Sequence, residues 1–293
     1  MAAWRHWFSA ARPKTLAASI VPVWVGSALA WKLAGVVNPW LAFCALASAT
    51  AIQIAANFFN DVLDFKKGAD TEQRLGPLRM TASGLLSPAE VIVLSLVALG
   101  VACVFALPLI AARGWPILAI GLPSLYFSFG YSGGPWPLAF RGLGELFVFF
   151  FFGVVAVTGS VFVNTGEWHW WPSLLCGAQV GLFSTVLIAI NNLRDVVEDA
   201  RSAKRTLAVR FGIRFARCEI AACIFAPYGL GLAWWPAWLG AFVLPLLGLP
   251  FSCFLARRIL ITAPSRAYNQ FLALAAAQLL TFAMLFSIAA LIC

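Results

Sequence analysis

The sequence predicts an all-α membrane protein of nine transmembrane helices with its N-terminus in the cytoplasm. Three observations predict it. Of 293 residues, 62% are hydrophobic and only 11% charged, whereas a soluble domain carries about 25% charged residues. The apolar residues gather into nine runs, each near the ~20 residues needed to cross a hydrocarbon core about 30 Å thick. Eighteen of the 20 Lys and Arg residues fall at the N-terminus and on alternate connections, which marks that face as cytoplasmic. Too little chain lies outside the runs for a soluble domain. Residues 1–293 are therefore expected to form a single integral-membrane domain.

The elements follow in chain order. Residues 1–14 are aromatic and basic and lead straight into a full-length span, so they read as a cytoplasmic interfacial segment and not a cleaved signal. The spans lie at about 15–34, 40–60, 89–111, 115–132, 143–163, 172–193, 216–235, 238–256 and 268–292, bounded by Pro, Gly and charge. Pro123 and Pro227 interrupt the fourth and seventh. Both are kept, because neighbouring helices can satisfy the backbone groups that proline frees. Nine of the 13 tryptophans (Trp31, Trp40, Trp115, Trp168, Trp170, Trp171, Trp234, Trp235 and Trp238) fall at the opposite boundaries, as an interfacial aromatic belt does.

The net charge of +9 is accounted for by this topology without nucleic-acid binding. The seven cysteines contain no C-x-x-C pair, and there are two histidines, His6 and His169. That composition argues against a zinc site or a disulfide framework.

Ten of the 11 carboxylates share the basic face, where the orientation rule does not require them. One cluster closes the second span: Gln53, Asn57, Asn60, Asp61 and Asp64 fall on one helical stripe. Such a stripe facing lipid would be costly, so it must face protein or a wet cavity. The other closes the sixth span, where Asp195 and Asp199 are stacked one turn apart, with Asn191 or Asn192 a turn earlier. An even number of crossings separates the clusters, so both lie at one membrane depth. Two Asp pairs backed by amides suit Mg²⁺, which takes one or two carboxylates and completes its octahedron with phosphate oxygens and water. The cations Arg74, Arg79, Arg194, Lys204 and Arg205 nearby suit a polyanion. Together they describe a diphosphate at the mouth of an apolar cavity.

With these residues in view, the chain resembles the UbiA superfamily of intramembrane prenyltransferases. These are nine-helix bundles around a central cavity, with motifs N-D-x-x-D and D-x-x-x-D-x-x-x-G-K-x-T. Asn60, Asp61 and Asp64 match the first; Asp195, Asp199, Lys204 and Thr206 match the second. Further stretches at 11–23, 74–84, 131–135, 140–145 and 191–195 are similar to the branch that prenylates 1,4-dihydroxy-2-naphthoate in menaquinone biosynthesis. The likeness runs from about residue 10 to 215; the last three spans look generic. In place of the third acid of many first motifs stands Gly68, with Asp70 the nearest carboxylate. Ala203 stands where glycine is usual; because alanine accepts positive φ poorly, a small change of loop geometry is expected there.

The resemblance implies Mg²⁺-dependent transfer of a polyprenyl group from an allylic diphosphate to 1,4-dihydroxy-2-naphthoate with loss of CO₂, giving demethylmenaquinone. Asp61, Asp64, Asp195 and Asp199 would be the catalytic and metal-binding acids. Asn57, Arg74, Arg79, Arg194, Lys204 and Arg205 would bind the diphosphate. Tyr131, Tyr126 and members of the run at 147–152 are candidates to shield a carbocation. Glu145 either contacts the acceptor ring or pairs with Arg141 in a loop. Arg12 and Lys14 could guide an anionic substrate. Three rival readings stay open: another aromatic acceptor such as 4-hydroxybenzoate, a CDP-alcohol phosphotransferase (whose D-x-x-D-G opening is missing after Asp64), and an ion-coupled transporter.

Overall fold

The computed structural model describes residues 3–69 and 75–292, and every regular element among them is helical. In chain order these are α1 (Ala3–Ala10), α2 (Ala17–Ala34), α3 (Pro39–Lys66), α4 (Pro88–Arg113), α5 (Trp115–Gly130), α6 (Gly144–Thr165), α7 (Trp170–Arg194), α8 (Val196–Arg201), α9 (Leu207–Trp234), α10 (Leu239–Ile261) and α11 (Tyr268–Ile292). Among the described residues eight of them (α2, α3, α4, α6, α7, α9, α10, α11) are long and apolar enough to cross a membrane. The fourth expected span, α5, is apolar but has 16 residues, about 24 Å at 1.5 Å per residue. This is an integral, multi-pass, all-helical protein.

Boundaries moved where polar chain continued a helix beyond its apolar part. α3 does not stop near residue 60; it runs to Lys66 and ends at Gly68, whose φ of 67° terminates it. Its acids therefore sit on the helix itself. α9 starts at Leu207, where the Thr206 hydroxyl accepts from the Val209 amide at 3.4 Å, and it bends at Gly212, whose φ is 85°. Pro123 and Pro227 both lie inside helices.

α7 is the most buried helix and the axis of the bundle, packed by α2, α6, α9 and α11. Its contact with α6 is backbone to backbone. A Cβ on Gly153 would lie 2.4 Å from the Gly177 carbonyl oxygen, and one on Gly181 would lie 2.5 Å from that of Phe149. Small residues allow this approach, which is how apolar helices associate without a hydrophobic driving force. At that seam α6 widens into a π segment, Phe149–Val155, which carries both Phe149 and Gly153. Outer helices show the reverse pattern: Val93, Leu96, Val97, Val104 and Leu107 of α4 are exposed, an apolar surface of the kind that faces lipid.

Of the nine tryptophans expected in an interfacial belt, Trp31, Trp40, Trp115, Trp168, Trp170, Trp171 and Trp235 are exposed, but Trp234 and Trp238 are buried. The indole N–H of Trp234 donates to Gln179 Oε1 at 2.9 Å, so this ring is core with a satisfied polar tip.

Candidate active site

The two acid-bearing helix ends converge at one end of the bundle. Asp61, Asp64, Asp195 and Asp199 are all buried, so none faces lipid. On α3, Asp61 accepts the backbone amides of Met80 (3.1 Å) and Thr81 (2.9 Å), one on each carboxylate oxygen. It thereby pins the loop before α4, whose Met80 side chain packs with Phe58, Val62, Leu86 and Val91. Asp64, one turn on, pairs through Oδ2 with Arg79 at 3.1 Å, and Arg79 also reaches Asn60 at 3.1 Å. On the other side Arg194 grips Asp195 with two bonds of 2.7 Å and reaches Asn269 of α11 at 2.7 Å. Asp199 Oδ1 lies 3.4 Å from Lys204. Burial pushes the Asp199 carboxyl up to about 6; Lys204 opposes the shift, and Asp195 and Asp64 add to it. Asp64 and Asp199 thus feel each other across the mouth.

One oxygen in each cluster is uncommitted. Asp64 Oδ1 and Asp199 Oδ2 are buried without a hydrogen-bond partner. Buried carboxylate oxygens left unpaired are costly, and they are the hard donors that a divalent cation takes. Among the described residues, however, no three His, Cys, Asp or Glu side chains form a ready-made metal cluster. The four aspartates expected to act alike therefore divide: Asp64 and Asp199 keep an open oxygen, while Asp61 and Asp195 are occupied holding a loop and a guanidinium.

The expected cations divide as well. Arg79 and Lys204 stand against the acids. Arg194 is buried and held by Asp195 and Asn269, so it braces the site and does not project into it. Arg205 is exposed, and its backbone amide bonds to the Phe140 carbonyl at 3.2 Å. It lies directly after Lys204 but points out of the fold. Arg74 and Asp70 lie outside the described residues. Lys67 joins the set unforeseen: its ammonium donates to the Ser132 carbonyl at 2.5 Å and lies 4.2 Å from the Phe140 ring centre.

Beneath the mouth runs an apolar cavity of about 300 Å³. Gln53, Asn57 and Asn60 line its upper part and Ala45 its floor, a rise of about 22 Å from Asn60 to Ala45 along α3. Asn57 is not open to a ligand through its amide nitrogen, which donates to the Ala11 carbonyl (2.8 Å) and Thr15 Oγ1 (3.1 Å) and so ties α3 to the N-terminal segment. Arg12 is half-buried at the cavity wall; Lys14 is exposed.

An aromatic wall faces this space. Phe147 stacks on Phe151 at 4.5 Å between ring centres, Phe127 meets them at 5.1 and 5.4 Å, and Tyr131 meets Phe147 at 5.7 Å. Of the phenylalanine run, Phe147, Phe151 and Phe152 line the cavity, whereas Phe150 is exposed. Tyr126 is not part of the wall; it is 54% exposed. Five residues before Tyr131 is about 140° round a helix, which puts Tyr126 on the outside. Phe127, four residues before Tyr131, faces in, and that spacing was available in the sequence.

Glu145 is buried, accepts from the Asn192 amide at 2.6 Å, and leaves Oε2 without a partner. Its expected alternative, a loop ion pair with Arg141, does not form: the Arg141 guanidinium lies 3.8 Å from the Trp136 ring centre. Ala203 adopts φ 57°, so alanine takes the left-handed conformation here and the turn into Lys204 is kept.

Comparison with known proteins adds an independent line. The UbiA prenyltransferase family matches residues 19–276. The chain is 38% identical over 213 residues to a 1,4-dihydroxy-2-naphthoate octaprenyltransferase from Mycobacterium tuberculosis, covering 72% of each chain. Its identity to the Escherichia coli protein of the same description is 32% over 257 residues, 82% of each chain. In fold it is similar to a UbiA homolog from Aeropyrum pernix K1, solved in the apo state, with a TM-score of 0.72 and 17% identity over 94% of this chain and 97% of that one. It is also similar to a UbiA homolog from Archaeoglobus fulgidus bound to DMAPP and Mg²⁺, with a TM-score of 0.65 and 14% identity over 96% of this chain and 99% of that one.

Proposed function

Since the chain belongs to the UbiA prenyltransferase family, we infer that it is a 1,4-dihydroxy-2-naphthoate polyprenyltransferase of menaquinone biosynthesis, working from the cytoplasmic face of the cell membrane. One observation carries the chemistry: two buried carboxylates with open oxygens, Asp64 and Asp199, meet above an apolar cavity lined by stacked aromatic rings.

The donor is a polyprenyl diphosphate. Its diphosphate lies among Asp64, Asp199, Arg79 and Lys204, and its hydrocarbon runs down the cavity. Asp64 and Asp199, with Asp61 and Asp195 behind them, would hold Mg²⁺, which when bound would supply positive charge against the departing diphosphate. Among the described residues the aspartates do not form a complete ligand set by themselves, which suits an ion that usually takes one or two carboxylates together with phosphate oxygens and water. Arg79 and Lys204 stabilise the same developing charge. The bond between the allylic carbon and oxygen breaks with its electron pair going to diphosphate. Phe127, Tyr131, Phe147 and Phe151 present ring faces to the resulting cation and keep water from it. The naphthoate ring then attacks, and the new C–C bond forms as the carboxylate leaves as CO₂. The electron count gives the reduced, quinol form of demethylmenaquinone.

A transporter reading predicts broken helices with acids near mid-bilayer; here the acids sit at helix ends on one face. The test is prenyl transfer by the purified protein in detergent, with one prenyl diphosphate offered against naphthoate and benzoate acceptors. Prenylated naphthoate that requires Mg²⁺ and is lost in Asp64→Asn and Asp199→Asn is the expected result. Full turnover in excess EDTA, or an Asp199→Asn variant as active as the parent, rules the scheme out.

A further inference from the structure

The last helix is the least distinctive part of the sequence, yet it supplies a side chain that joins the two acid clusters. Asn269, in the first turn of α11, uses both ends of its amide. Its Oδ1 accepts from Arg194 Nη1 at 2.7 Å, and its Nδ2 donates to the Leu75 carbonyl at 2.9 Å. Arg194 holds Asp195 with its remaining bonds. Leu75 opens the loop whose Arg79 holds Asp64 and whose amides at Met80 and Thr81 hold Asp61.

We propose that Asn269 is a positioning residue of the diphosphate site, acting through Arg194 on one acid pair and through the loop at 75–81 on the other. The inference rests on the prenyltransferase reading for its ligand. Its physical basis is the amide itself. The Arg194 guanidinium is fully buried and requires an acceptor, while the carbonyl of the half-buried Leu75 takes its donor from the same amide. A primary amide provides both from one planar group. Aspartate would offer only acceptors and would face the Leu75 carbonyl with a negative oxygen. Alanine would leave the buried Arg194 without this acceptor and would release the Leu75 carbonyl. Asn269 thus sets the distance between helix ends that approach from opposite sides of the mouth, and that distance decides whether one diphosphate reaches Asp64 and Asp199 together.

The experiment uses the full chain in detergent, with inorganic pyrophosphate and Mg²⁺ as the probe. Trypsin cleavage after Arg79 is timed with and without the probe, and Mg²⁺ KM and kcat are measured for prenyl transfer. N269A is expected to speed cleavage after Arg79, to weaken its protection by the probe, and to raise the Mg²⁺ KM about tenfold, as loss of outer support for metal ligands does, with kcat less affected. N269D keeps an acceptor for Arg194 and loses the bond to Leu75, so it is expected to speed the same cleavage. Unchanged cleavage and an unchanged Mg²⁺ KM in these variants overturn the proposal. If N269A does not accumulate as folded protein, N269D decides. If the parent makes no prenylated naphthoate, the functional reading fails, and cleavage after Arg79 still tests the tether.

Discussion

Lys204 is bound to Asp199 twice. Its backbone amide donates to the Asp199 carbonyl at 2.9 Å, and its ammonium lies 3.4 Å from Asp199 Oδ1. The chain can fold back this sharply because Ala203, between them, sits at φ 57°.

That conformation strains any residue with a Cβ. Left-handed backbone costs a non-glycine residue about 1–2 kcal/mol, and glycine returns about 0.5–1 kcal/mol of this as extra entropy of the unfolded chain. Ala203→Gly is therefore expected to stabilise the protein by about 0.5–1 kcal/mol, and Ala203→Val to destabilise it, since β-branched residues tolerate positive φ least. Thermal unfolding in detergent measures both. Equal midpoints for the three proteins would show that the turn holds no strain.

The pH dependence follows from Asp199. Burial lifts its carboxyl to about 6, above its ordinary 3.8, so the folded protein holds this proton more tightly than the unfolded chain does. The neutral form's contribution to apo stability is fully present below about pH 4 and is lost as pH rises through about 6. Metal binding has the opposite sign, because Mg²⁺ must displace the proton. Its apparent affinity is expected to fall steeply below pH 6 and to level off above pH 7. Mg²⁺ KM measured from pH 5 to 8 reads this directly.

Asp61 and Asp64 should fail differently. In Asp61→Asn the amide can accept from only one of the two backbone N–H groups, leaving a buried donor unpaired at a cost of about 1–3 kcal/mol. The loss is expected in stability and in loop protection as well as in turnover. In Asp64→Asn the loop anchor stays, and the effect is expected in Mg²⁺ dependence and turnover. Proteolysis of the 75–87 loop beside turnover separates them; identical loop protection in the two variants would contradict the division of roles.

The aromatic wall predicts a change of product more than of rate. Phe147 touches Phe127, Tyr131 and Phe151, so Phe147→Ala opens the centre of the shield and admits water. The free prenyl alcohol released per transferred prenyl group is expected to rise several-fold, while Tyr126→Phe, on the outer surface, leaves the ratio as in the parent. Chromatography of the products from labelled donor gives the ratio.

The seam between α6 and α7 predicts stability. A Cβ on Gly181 would lie 2.5 Å from the Phe149 carbonyl oxygen, so Gly181→Ala must force the helices apart. Overpacking of this kind costs about 1–3 kcal/mol, read as a lower unfolding midpoint. Gly121→Ala, which meets nothing within 4 Å, serves as the control.

The bundle and its mouth were legible because their signals are local. Apolar runs mark helices, and Asn60, Asp61 and Asp64 or Asp195 and Asp199 share a helix face by spacing alone. Crossing parity then brings the two groups to one side. What was not legible depends on where distant chain returns. Nothing near Asp61 tells that it holds amides at 80 and 81, and nothing near Arg194 tells that its acceptor is 75 residues away. Trp234 and Trp238 resemble interfacial anchors in composition and differ only in having core neighbours. Phe127 is readable from its four-residue spacing to Tyr131, though the nearby phenylalanine run is the more conspicuous signal.

The widened turn at Phe149–Val155 sets a rotational phase between the two halves of α6. Above it lie Glu145 and Phe147, keyed to Asn192 and the aromatic wall; below it lies Gly159, with Gly153 keyed to α7 from within. Removing a single amino acid from that stretch would restore ordinary winding and swing Glu145 about 100° relative to the half of α6 below it, away from its amide partner. Length in this stretch therefore matters apart from composition, and a homologue lacking one residue here would have to find a different way to orient its acid.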